Sequence, residues 1–279
     1  MRNEVTAPTT MAKNRSIRSV ALMYHALTHG ERVDPDQPEQ DPHYTVAEDV
    51  FTQHLDMMIA RCGRAVSAQE WLNAPVASAV LTFDDGHVSN YEIAFPLLSK
   101  RGCSADFFVN PQNVGTPGFA SWSQLREMAA GGMSIQSHSY SHRYLSELSD
   151  SELREELTRS KAIIEERIGH EVSLLAPPGG RMPEGLGRVA RECGYRWVLS
   201  SRPGALRSIS ADAQSAPILS RMAVTAQLDS TTLDAWLAGS RATFVQAQLR
   251  YSALAGLKKL LGNRGYERLR ASVLGQPHL

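Results

Sequence analysis

Short apolar runs that alternate with amphipathic stretches constrain this chain more than any other feature. Asp106–Val109, Met133–Ser137, Ser173–Ala176 and Arg196–Leu199 read as strands, while Ser89–Lys100, Ser121–Ala130, Ser149–Ile168 and Pro183–Glu192 read as helices. A strand that reaches its neighbour through a helix must lie parallel to it, so the pattern predicts a parallel sheet covered by helices. Val46–Ile59 adds an amphipathic helix. Ser149-Asp150-Ser151-Glu152 forms a capping box for the longest helix, whose Leu153, Leu157, Ile164 and Ile168 make an apolar stripe.

Chemistry is concentrated where two strands end. Ala79-Val80-Leu81-Thr82-Phe83 reads as a buried strand that stops at Asp84-Asp85-Gly86. Neighbouring side chains in a regular strand point to opposite faces, so the two aspartates share a site only if the backbone bends, which Gly86 permits. Met133–Ser137 leads into His138-Ser139-Tyr140-Ser141-His142, where the i,i+4 spacing predicts both rings on one side of a helical turn. One carboxylate and two imidazoles suffice to hold a divalent cation while the second carboxylate acts as a base, the kit for metal-assisted hydrolysis. Each motif alone is unspecific, because Asp-Asp-Gly is ordinary turn composition and a lone His pair is usually solvated. Their joint occurrence directly after strands is what selects the metal site. Zinc is the expected ion, and cobalt, nickel or iron fits the same donors.

At these residues the chain resembles the polysaccharide deacetylases with a NodB-homology domain, carbohydrate esterase family four. Thr82–Gly86 is similar to that family's first motif and His138–His142 to its second, with a looser similarity from about Ser19 to Val224. The resemblance implies a distorted (β/α) barrel with fewer than eight βα units, with Asp84 as general base and Asp85, His138 and His142 as metal ligands. It points to the N–H of Gly179, in the Pro178-Gly179-Gly180 turn, as an oxyanion donor, and to Trp197 and Leu219 as pocket walls. Two positions depart from the pattern. Ala176-Pro177-Pro178-Gly179-Gly180 lacks the arginine that usually supports the base, with Arg181 next to it as a substitute, and Leu219-Ser220-Arg221 has arginine where the usual acid is histidine. The branch acting on exopolysaccharides such as poly-N-acetylglucosamine is similar in lacking both groups and in carrying an early Tyr-His pair, here Tyr24-His25. That similarity makes His25 a candidate proton donor. His87, next to the first motif, is expected at the rim, and Asp106 has no role on sequence grounds.

The 279 residues and 42% hydrophobic content suit one barrel domain over residues 18–228, preceded by an irregular stretch at 1–17 and followed by a C-terminal helical extension at 229–279. Lys+Arg and Asp+Glu both number 29, which argues against nucleic acid as a partner. The three cysteines sit in unrelated contexts and read as free thiols. No stretch reads as a signal sequence or membrane span, which predicts a cytoplasmic protein. Residues 31–42 read as an acidic loop over the barrel mouth. After Ser240 the chain is basic, suiting peripheral contact with a membrane or a biosynthetic complex.

The expected activity is hydrolytic removal of acetyl groups from an N-acetylated poly- or oligosaccharide in exopolysaccharide assembly. An O-acetyl esterase or small-amide hydrolase would use the same parts, and a carbohydrate-binding or scaffold protein with lapsed chemistry is the alternative of another class.

Overall fold

A computed structural model describes residues 19–30, 41–76, 78–207, 214–254 and 256. The expected irregular N-terminus, most of the acidic loop and the basic residues beyond 256 lie outside the described residues. In chain order the elements are β1 (Val20–Tyr24), β2 (Leu27–Thr28), β3 (Val46–Ala47), α1 (Glu48–Cys62), β4 (Ala65–Val66), α2 (Ala68–Asn73), β5 (Ala79–Phe83), α3 (Phe95–Lys100), β6 (Asp106–Val109), α4 (Trp122–Ala130), β7 (Ser134–Ser137), α5 (Asp150–Ile168), β8 (Leu174–Leu175), α6 (Leu186–Glu192), β9 (Trp197–Leu199), β10 (Ile218–Leu219), β11 (Met222–Ala223) and α7 (Ser230–Leu237).

Nine strands form one wholly parallel sheet in the order β10-β9-β8-β7-β6-β5-β1-β11, with β4 beside the first half of β5. The sheet curls so that one face is interior and the other carries helices, the distorted (β/α) barrel of fewer than eight units that the resemblance implied. Alternation sorts the side chains. Leu81, Phe83 and Phe107 point outward into the layer that includes Phe51, Leu55, Leu98, Leu125 and Leu157, whereas Val80, Phe108, Leu174, Leu199 and Leu219 belong to a smaller inner cluster. Burial of the outer layer supplies most of the apolar area that holds helices to sheet.

Helix α2, which the periodicity did not suggest, plugs the barrel floor. Trp71 packs in the inner cluster, and its ring N–H donates to Ser19 Oγ and the Val76 carbonyl at 2.9 and 3.0 Å. Asp106 gains its role here. Its carboxylate opens β6 and accepts from the backbone N–H groups of Ala68 (2.5 Å) and Gln69 (3.4 Å), fastening the first turn of α2 beneath the barrel.

Other boundaries moved for local reasons. Helix α1 starts at Glu48 because Val46–Ala47 pairs with Leu27–Thr28, and Ser89–Lys100 opens as a π-helix over Asn90–Ala94 before continuing as α3. The capping box at Ser149 and Glu152 is formed, and Cys62, Cys103 and Cys193 are free. Beyond α7 a further helix covers residues 241–254, anchored by buried Phe244. Among the described residues no helix is long and apolar enough to cross a membrane.

Candidate active site and metal centre

Strand ends at one side of the barrel deliver the side chains: β1 is followed by His25, β5 by Asp84 and Asp85, β6 by Asn110, β7 by His138, and β8 by the Pro178–Gly180 turn. The connection that joins the end strands β10 and β11 contributes Arg221.

Asp85 Oδ1 lies 3.3 Å from His138 Nε2 and 3.1 Å from His142 Nε2. One ligand atom from each of the three falls within 4.8 Å of the others. The expected helical turn does not form. His138 follows β7 directly, and the chain then reaches His142 through an irregular loop with φ of 61° at Ser139 and 63° at His142. Asp85 also has a positive φ, 73°, so the bend between the aspartates begins at the metal-site residue itself and continues through Gly86 at 74°. These three are the only non-glycine residues with positive φ among those described. Such conformations cost about 1–3 kcal/mol each, and they persist because neighbouring bonds over-determine them.

The neighbours are identifiable. His138 Nδ1–H donates to the Ala176 carbonyl at 2.8 Å, which orients the ring with Nε2 toward Asp85. Asn110 Nδ2 donates to the carbonyls of His138 and Ser139. Buried Glu156 of α5 accepts from the N–H groups of Tyr140 and Ser141 at 3.0 and 2.9 Å and from the Ser141 hydroxyl at 2.5 Å. Neither Glu156 nor Asn110 was picked out from sequence. Glu156 was discoverable, since it interrupts the buried side of a helix otherwise defined by Leu153, Leu157 and Ile164; Asn110 carries no spacing signal. Two imidazoles and a carboxylate, one ring locked to present Nε2, fit a tetrahedral divalent ion with one position open.

Asp84 occupies a different setting. Arg221 grips it with both arms of the guanidinium, Nη1 to Oδ1 at 2.6 Å and Nη2 to Oδ2 at 2.8 Å, and the two side chains are 0% and 4% exposed. Nη1 also donates to Thr82 Oγ1 at 3.1 Å and Nε to the Ser200 carbonyl at 3.3 Å. Burial pushes the Asp84 carboxyl upward, but the charge and hydrogen bonds of Arg221, aided by His138 and His25, bring it below the ordinary carboxylate range. Asp85 is likewise opposed by burial yet held well below that range by its bonds to both histidines. An arginine for the base is therefore present, supplied from the connection after β10 instead of the turn after β8. Arg181 does not substitute: its guanidinium stacks on Tyr144 at 3.8 Å and lies 3.5 Å from Glu147.

Among the remaining expected residues, His25 is half-buried, its ring 4.7 Å from that of Tyr44, and its Nδ1 has no hydrogen-bond partner among the described residues. Gly179 adopts φ 58°, and a Cβ there would meet the Tyr144 ring at 2.6 Å, so the turn tolerates only glycine. Trp197 opens β9, at the strand end opposite the one that follows with catalytic-face loops, and is buried with Leu219 in the inner cluster. His87 is not on the rim. It is buried, bonded through Nδ1 to Ser89 Oγ at 2.8 Å and bridged to Phe119.

Comparison with known proteins agrees with this geometry. Residues 73–198 match the polysaccharide deacetylase family model. The Bacillus subtilis protein YxkH, whose name assigns it to the same family, is 28% identical over 66% of this chain and 64% of its own length. A peptidoglycan-N-acetylglucosamine deacetylase of Bacillus cereus is 31% identical over 43% of this chain, which spans 55% of that protein. The Streptococcus pyogenes deacetylase PplD, solved in complex with acetate, superposes with a TM-score of 0.66 at 25% identity, covering 76% of this chain and 95% of PplD. Motifs, sheet order and matched residues converge on one point: residues 73–198 are similar to a polysaccharide deacetylase domain.

Proposed function

We propose that this protein is a metal-dependent deacetylase of N-acetylated sugar residues in a poly- or oligosaccharide, with Asp85, His138 and His142 holding the cation, zinc by donor chemistry. The observation that carries the proposal is the division of labour between adjacent aspartates: Asp85 faces two imidazoles, while Asp84 faces Arg221. When bound, the cation supplies Lewis acidity that polarises a carbonyl and acidifies water. Asp84, kept ionised by Arg221, takes the proton from the attacking water. The Gly179 N–H, on the Pro178–Gly180 turn after β8, stabilises the oxyanion. The proton held by Asp84 passes to the leaving nitrogen, directly or by way of His25, whose Nδ1 has no hydrogen-bond partner among the described residues, and acetate and an amino sugar depart.

Support for an N-acetyl substrate comes from the Bacillus cereus relative, named for N-acetylglucosamine, and from PplD, solved with acetate. The place in exopolysaccharide assembly, the domain limits at 18–228 and a membrane or complex contact through the C-terminal helices belong to the same proposal. Chelator-treated protein given back zinc should release acetate from chito-oligomers and not from acetylxylan. Release from acetylxylan alone identifies an O-acetyl esterase instead, and release from neither refutes the activity.

A further inference from the structure

A second cavity, of about 560 Å³, opens at the sheet edge between β10 and the helix at 241–254; its lining includes none of Asp84, Asp85, His138, His142 and Arg221, although Leu219, expected as a wall of the catalytic pocket, belongs to it. Arg207 and Arg241 line it together with Ser220 and Gln248, and among the described residues neither guanidinium has a carboxylate partner. Ile218 and Val245 line the same cavity although 42% and 52% exposed, and Leu249, one turn beyond Val245, is 67% exposed. Phe244 holds the helix to the core, so these apolar groups stand out from a fixed surface.

Two guanidiniums without a carboxylate partner among the described residues, beside a hydroxyl and an amide, suit a phosphate group, which arginine binds through paired N–H donors. A free anion would have no use for the apolar lip. An anionic headgroup still attached to its bilayer uses both halves, phosphate in the cavity and acyl boundary against Ile218, Val245 and Leu249. Charge agrees: after Ser240 the chain has Arg241, Arg250, Lys258, Lys259, Arg264, Arg268 and Arg270 against the single acid Glu267. We propose that this cavity seats the headgroup of an anionic phospholipid and docks the protein on a membrane surface. The inference is independent of the catalytic reading.

The test is flotation of the full chain with vesicles of phosphatidylcholine alone or mixed with phosphatidylglycerol. The parent should float only with the phosphatidylglycerol vesicles. Arg207→Gln/Arg241→Gln, which keeps every basic residue beyond Arg241, should lower the partition onto the vesicles roughly thirtyfold, and Val245→Ser should lower it several-fold. Unchanged circular dichroism and melting temperature establish that these variants are folded. Equal flotation of parent and double variant overturns the cavity as the site, and absence of the parent from both floating fractions overturns docking. Calorimetry with inorganic phosphate separates the sources: binding as tight as to vesicles, and insensitive to Val245→Ser, makes it a free-anion site and contradicts the proposal.

Discussion

Arg221 and Asp84 are 137 residues apart in sequence and meet in the barrel interior through two parallel hydrogen bonds of 2.6 and 2.8 Å. The sheet's two end strands are joined through Ser220 and Arg221, so the guanidinium enters the interior where the barrel is seamed. A buried pair of this kind adds little net stability over an apolar replacement of both partners, but loss of one partner strands the other.

Arg221→Met should therefore cost about 3–5 kcal/mol in urea denaturation, since Asp84 is left as a buried, unpaired carboxylate. Arg221→Lys, with a point charge in place of the fork, should retain part of that stability. Asp84→Asn/Arg221→Met should recover most of the loss. A single Met variant as stable as the parent would mean that the pair does not exist in solution.

Asp106 makes a pH prediction of definite sign. Burial raises its carboxyl to about 7 despite the bonds from Ala68 and Gln69. The folded state then holds a proton that the unfolded chain, near 3.9, releases, so the contribution of Asp106 to stability declines as pH rises from about 4 to about 7. Buried His54, paired to Tyr24 at 3.0 Å and lowered by burial to about 4, works the other way: the unfolded chain takes up a proton first as pH falls below about 6.5. The two slopes offset in the parent. Asp106→Asn removes only the first, so its stability relative to the parent should climb across that window, by up to about 1.4 kcal/mol per pH unit, and level off above it. A constant difference contradicts the assignment.

How far this was legible differs from element to element. Strand ends carrying Asp84, Asp85 and His138 could be read because apolar runs stopping at polar residues are local signals, as was the Ser149–Glu152 cap. Helix α2 could not be read: it is short, and Asp106 fastens it from 38 residues away. Arg221 drew attention only as a departure from a pattern, since its partner is set by barrel closure. The loop conformation at Ser139 and His142 was missed because i,i+4 spacing also suits a helix, and what decides against one is Glu156, reaching in from α5.

Glu156→Gln removes the charge that gathers the N–H groups of Tyr140 and Ser141 and the Ser141 hydroxyl. Zinc affinity, measured by competition with a chelator, should fall roughly ten- to hundredfold with helix content unchanged. Parent-like affinity would show that the loop holds its shape unaided.

Gly86→Ala should lower stability by about 1–2 kcal/mol, because φ is 74° and the new Cβ would sit 3.0 Å from Val109 Cγ1. The melting temperature checks it, and a variant as stable as the parent would place the bend elsewhere.

The central claim is that adjacent aspartates have separate duties, and it is tested most directly by measuring bound zinc and acetate release side by side in the parent, Asp84→Asn and His138→Ala. Asp84→Asn should keep its zinc and lose roughly 10²–10⁴-fold in rate, while His138→Ala should lose zinc and activity together. An Asp84→Asn protein that sheds its zinc, or one that releases acetate at the parent's rate, contradicts the account.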